Sequence, residues 1–213
     1  MAISVTAARI TFWASALFLV LLGTLHIIKP EYDPSWRMVS EYAIGRFGWA
    51  MQFAFFSLAV ASMCAISAVW SQLRSTIGYI GLMLLLVAAT GMIIGGIFPS
   101  DPITTLPNAL SASGKMHILG GKIGIPSIPL AMTLISWALT RRNPAWADMR
   151  RWLWLLVSLV WLGFAIVVFL AFVVAKGTLG PDVLIGWPNR LFMIGYSVWL
   201  MVVARNAIAI ASP

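Results

Sequence analysis

The chain has 213 residues, 61% of them hydrophobic and only 9% charged, with a net charge of +8 and a mean hydropathy of +0.95. Roughly a quarter of the residues of a soluble domain are charged, so this composition excludes a water-soluble globule and places the chain in a bilayer. The 14 Lys and Arg residues are scattered between apolar segments and form no basic tract, which argues against nucleic acid as a partner and for charge as a topological signal.

A transmembrane helix needs about 20 mostly apolar residues. Six segments meet that length, at roughly 10–28, 48–70, 77–98, 116–139, 152–175 and 189–208. They predict an all-α polytopic membrane protein, one domain over residues 1–213, with both termini on the same side. The first span follows Arg9 and runs to Ile28 without an A-x-A-like exit, so it is expected to be a retained anchor rather than a cleaved signal.

Between the first two spans lies "LHIIKPEYDPSWRMVSEYAIG", where one histidine, three carboxylates and two cations interrupt the apolar sequence. Asp33 suits an N-cap and Pro34 the first helical position, where a missing N–H is harmless. Trp36, Val39, Tyr42 and Ala43 then fall near one face, predicting a short interfacial helix from Pro34 to Ile44 before Gly45 and Gly48 turn the chain. The second span holds the single cysteine, Cys64, which rules out an intrachain disulfide or a cysteine metal pair and reads as a small buried hydrophobe. In the fourth span, Gly120, Gly121 and Gly124 allow close helix approach and Pro126 and Pro129 permit a bend.

The end of the bundle bearing the termini has seven cations against Asp148 alone; the opposite end has seven against five carboxylates and also holds both histidines. The tight arginine-rich loop "TRRNPAWADMRR" is hard to translocate. The expected placement is therefore the inner membrane with both termini cytoplasmic, and the mixed-charge end facing outward.

Spans two, four and six start at that mixed-charge end with Arg46, Lys115 and Arg190 near their positive helix termini, while Glu31 and Asp101 follow the negative ends of spans one and three. Charges set against helix dipoles answer to one another or to a ligand. Arg190, beside Asn189 in "GWPNRLF", reads either as an anion clamp or as a snorkelling arginine neutralised by Asp101 or Asp182.

His26 ends span one and His117 opens span four, at similar depth. The pair fits axial ligation of a b-type haem, a divalent metal completed by Asp33, Glu41 or Asp101, or general-base chemistry on Ser40 or Ser113. Against these stands a plain interfacial role, each ring hydrogen-bonded to a structural partner. No H-x-x-x-H, H-E-x-x-H or G-x-S-x-G motif selects among them.

Ionisable groups at membrane depth default to function. The expected ligand site is His26, Asp33, Ser40, Glu41, Asp101, His117 and Arg190, binding a small amphipathic molecule with an anionic head, either a membrane lipid or a cofactor. The alternatives are an enzyme or redox protein holding metal or haem on His26 and His117, and an accessory subunit packed against other membrane subunits.

The long opening stretch, "GGIFPSDP" after span three, "KMH" opening span four and "PNRLF" opening span six resemble an uncharacterised prokaryotic six-helix membrane family, domain of unknown function nine-nine-eight. The family carries a histidine near the end of its first helix, a Ser-[Asp/Glu]-Tyr step, an F-P-x-D after the third helix and a histidine opening the fourth. His26, Ser40, Glu41, Tyr42, Phe98, Pro99, Asp101 and His117 occupy those places, and Arg190 fits a late arginine. The resemblance runs from span one to span six and implies the fold and the site's position. It implies no activity.

Overall fold

A computed structural model describes residues 4–211, and among these all regular structure is helical. Six helices are long and apolar enough to cross a membrane: α1 Val5–Ile28, α2 Gly48–Val69, α3 Thr76–Ile97, α4 Ala112–Arg142, α5 Arg150–Phe169 and α6 Gly186–Ala211. All six expected spans are present. Several overrun their apolar windows because polar residues cap them beyond the hydrocarbon. Ser4, Ser75 and Ser111 each accept from an N–H in the first turn of α1, α3 and α4, satisfying donors that helix geometry leaves orphaned. α4 runs unbroken through Pro126 and Pro129, and α5 ends in a π turn over Leu170–Val174.

Consecutive helices pack side by side and α6 closes back on α1, while α2 also meets α6 across the middle. Lipid is as apolar as the side chains, so association rests on close packing and buried polar contacts. Tyr196 of α6 and Ser62 of α2 share a hydrogen bond of 2.5 Å. Trp199 of α6 donates to Ser136 of α4 at 3.0 Å, and Trp161 of α5 donates to Thr133 of α4 at 2.9 Å. These bonds tie α2 to α6, and α4 to both α5 and α6. Between α3 and α4 the backbones nearly touch: a Cβ on Gly91 would lie 2.6 Å from the Gly124 Cα and 2.7 Å from the Gly120 carbonyl oxygen.

The helix expected from Pro34 to Ile44 is present as a five-residue 3-10 helix, Val39–Ala43, preceded by turns. Val39, Glu41, Tyr42 and Ala43 are all buried, so this segment plugs the end of the bundle instead of lying on its surface. Two glycines let it seat. A Cβ on Gly48 would collide with the Ala43 carbonyl, and one on Gly186 with the backbone of Pro34 to Arg37. Gly186 N–H donates to the Ser35 carbonyl at 2.9 Å, which fastens the start of α6 beneath the loop.

Candidate functional site

Arg190, in the first turns of α6, is 3% exposed. Its Nε donates to His26 Nε2 at 2.7 Å. Nη1 donates to the carbonyls of Arg37 at 2.7 Å and Gly186 at 3.1 Å, and Nη2 to the Tyr42 hydroxyl at 3.1 Å. A guanidinium can only donate, so His26 Nε2 is the acceptor and the ring proton sits on Nδ1, which lies 2.7 Å from the Leu22 carbonyl. One buried cation thus ties α6 to α1, to the 30–47 loop and to the 3-10 helix.

Lys29 is also buried, at 2% exposed. Its ammonium donates to the carbonyls of Tyr42 and Ile44 and lies over the Tyr32 ring, 4.4 Å from the centroid. Burial lowers its pKa, partly opposed by the negative charge of Glu31. Burial also raises the pKa of the Tyr32 phenol. Among the described residues neither Lys29 nor Arg190 forms an ion pair; the pair at this end is Arg37 with Glu41, at 2.6 Å.

Glu41, 1% exposed, accepts from the backbone N–H of Met38 at 3.0 Å and of Ile103 at 2.8 Å. It therefore stitches the 3-10 helix to the α3–α4 loop. Asp101, one of the two carboxylates offered as neutralising Arg190, accepts instead from the N–H and hydroxyl of Ser111, at 2.7 and 2.9 Å. The loop carries this carboxylate away from the negative end of α3 to the positive end of α4, where helix charge favours it. Asp33 is exposed and accepts from the Ser35 N–H at 2.8 Å. That bond holds its carboxyl below the usual carboxylate range.

Ser40 and His117 belong to a different feature. Beneath the Met38–Ser40 turn lies a cavity of about 240 Å³ walled by α2, α3, α4 and α6, with Val167 contributed by α5. One buried water needs only about 15 Å³ on the same measure, so this space has room for more than a single water. Gly91, Gly95, Gly121 and Gly124 line it; Gly91 and Gly124 bring α3 and α4 into contact, while a Cβ on Gly121 would meet nothing within 4 Å. Its polar lining residues are Ser40, His117 and Asn189; no Lys, Arg, Asp or Glu lines it.

His117 Nδ1 lies 2.8 Å from the Phe98 carbonyl. A carbonyl only accepts, so Nδ1 carries a proton and Nε2 of the neutral ring is an acceptor. Asn189 Oδ1 accepts from the Val39 N–H at 2.9 Å, which fixes the amide with Nδ2 as its donor. Ser40 accepts from the Ser100 hydroxyl through its carbonyl, at 3.2 Å, leaving its own hydroxyl outside that bond.

The seven expected residues are thus split among four places. His26 and Arg190 form the buried knot, Glu41 and Asp101 secure loops, Asp33 caps an exposed turn, and Ser40 and His117 meet at the cavity. Asn189, Tyr42, Arg37 and Lys29 take part without having been assigned to the site. For Asn189 the signal was its place in "PNR", at the same helix mouth as Arg190.

The residues present do not fit a haem or metal held between the histidines. α1 packs on α2 and α6, while α4 packs mainly on α3. The His26 ring faces Tyr42 and the His117 ring faces Phe55. Both His26 nitrogens are already bonded, and among the described residues no three His, Cys, Asp or Glu side chains cluster as a metal site would require.

Fold and polar end together define a six-span α-helical integral membrane protein. The chain belongs to the family described as "Protein of unknown function (DUF998)", which matches residues 12–206. No curated protein and no solved structure matches the chain.

Proposed function

We propose that this protein binds a small amphipathic molecule in the cavity beneath Met38–Ser40, with the tail among the glycines of α3 and α4 and the head at Ser40, His117 and Asn189. The cavity itself carries the reading: apolar walls with a few convergent polar groups are what small-molecule sites are made of. The anionic head expected from Arg190 gives way to an uncharged polar one, because the Arg190 donors serve the fold and no cation lines the cavity. In this reading the protein sits in the inner membrane with both termini cytoplasmic, membrane lipid is its partner, and the cavity lies in the outer half of the bilayer.

Gly121 supplies the test, since a Cβ there meets nothing within 4 Å. Gly121→Leu puts a bulky side chain at the cavity wall, where its Cβ has free space. Native mass spectrometry of the parent should find a bound amphipath that this variant lacks at unchanged helicity; equal ligand content in both would remove the reading. Orientation is tested with single cysteines at the exposed Thr178 and Ala147 in a Cys64→Ala background. Only the Thr178 site should react with an impermeant thiol reagent in intact cells, and reaction at Ala147 would invert the placement.

A further inference from the structure

Resting on the cavity reading, we infer that the ligand's head is a neutral hydroxyl and that the molecule is a long-chain lipid alcohol. The three polar groups lining the cavity offer a complementary set. Asn189 brings a donor, because its Oδ1 is held by the Val39 N–H. His117 brings an acceptor, because its Nδ1 proton is held by the Phe98 carbonyl. Ser40 brings a hydroxyl that serves either way. One group that donates to His117 Nε2 while accepting from Asn189 Nδ2 satisfies both fixed partners, and a hydroxyl does that with a single oxygen.

Charge points the same way. An ionised carboxylate or ammonium buried without a counter-charge is strongly disfavoured, and no charged side chain lines the cavity. Arg190, the residue after Asn189, is turned to the other side of α6. It lines a separate groove with Leu19, His26 and Trp187 between α1 and α6, and four of its donor bonds are already made. The tail wall contains Met92 and Met193, flexible side chains that adapt to an unbranched or kinked chain. Carbonyl-only heads leave His117 Nε2 unserved, and a protonated amine, which only donates, leaves the Asn189 donor unserved.

The test uses three photoreactive probes with the same diazirine-bearing sixteen-carbon chain: an alcohol, a carboxylate and an amine. Each is presented to the whole protein in phosphatidylcholine vesicles. The alcohol should label cavity-lining residues at least about ten-fold more strongly than either charged probe, equivalent to about 1.4 kcal/mol. Asn189→Asp, at pH 8, keeps an oxygen for the Val39 N–H but removes the donor and adds a negative charge, and should erase the preference over the amine. Ser40→Ala, a milder change, should reduce alcohol labelling several-fold.

Equal labelling by all three probes, or a preference for the carboxylate, overturns the hydroxyl assignment. So does an alcohol preference over the amine that survives Asn189→Asp, or alcohol labelling that Ser40→Ala leaves unchanged. If Gly121→Leu abolishes labelling by every probe and no head is preferred, the cavity reading stands and the hydroxyl assignment falls. If no probe labels the cavity in the parent, or Gly121→Leu changes nothing, both fall.

Discussion

Arg190 donates its Nε–H to Nε2 of His26 at 2.7 Å, across the seam between the last span and the first. That bond decides what His26 is for. A ring whose Nδ1 already faces the Leu22 carbonyl and whose Nε2 receives a guanidinium has no lone pair left for a metal, and its task is to hold a buried cation.

His26→Ala removes an acceptor from a guanidinium that is 3% exposed. Leaving a charged donor buried and unpaired should lower stability by about 2–3 kcal/mol. Thermal unfolding in mild detergent measures the loss. If the gap exposes the site to water, His26→Gln, which restores an acceptor, should recover part of the loss; a His26→Ala melting curve matching the parent would show that the bond contributes nothing.

Arg37 and Glu41 give a second, independent case. Arg37→Ala leaves the Glu41 carboxylate with only its two backbone N–H donors; because 23% of the Arg37 side chain is exposed, the loss should be about 1–3 kcal/mol. Glu41→Ala additionally frees the N–H groups of Met38 and Ile103. It should loosen the α3–α4 loop selectively, which hydrogen exchange at Ile103 would register. Unchanged exchange there would remove Glu41 as the link between the loops.

Two glycines on facing helices should respond unequally to one methyl group. Gly91→Ala meets the Gly124 Cα at 2.6 Å and must force α3 from α4, with a loss of about 1–3 kcal/mol. Gly121→Ala meets nothing within 4 Å and should melt within about 0.5 kcal/mol of the parent. Equal effects would mean that the α3–α4 packing is not as close as described.

Lys29 sets a pH dependence of known sign. Burial lowers its folded pKa, while the unfolded lysine titrates at about 10.4. The folded state therefore binds fewer protons than the unfolded state between those two values, and stability rises with pH across that window. The contribution is fully present above the unfolded value and is lost as pH falls through the folded one. The stability difference between the parent and Lys29→Met should shift in the parent's favour as pH rises toward 10, with Tyr32 common to both proteins. A difference flat with pH would mean that burial does not disfavour the Lys29 charge.

The spans were legible because their signal is local: twenty apolar residues need no knowledge of neighbours. The place of the polar end was legible for the same reason, since His26, Glu41, Asp101, His117 and Arg190 all stand at span boundaries. Their pairing was not. Asp101 looked misplaced at the end of α3 because the sequence does not show that its loop folds back onto Ser111, ten residues on. The short helix from Pro34 contracted to Val39–Ala43 because burial of Tyr42 and Glu41 outweighed the amphipathic pattern. Asn189 stood in view in "PNR", but its role depends on Val39, 150 residues away.

The most direct test of the ligand cavity is an experimental density map of the protein purified from native membranes, without added lipid. A bound amphipath should appear as elongated density running from between Asn189 and His117 down the glycine-lined face of α4 past Gly121. A map in which Met92 and Met193 close the space, with no density beyond ordered water, would contradict the cavity reading.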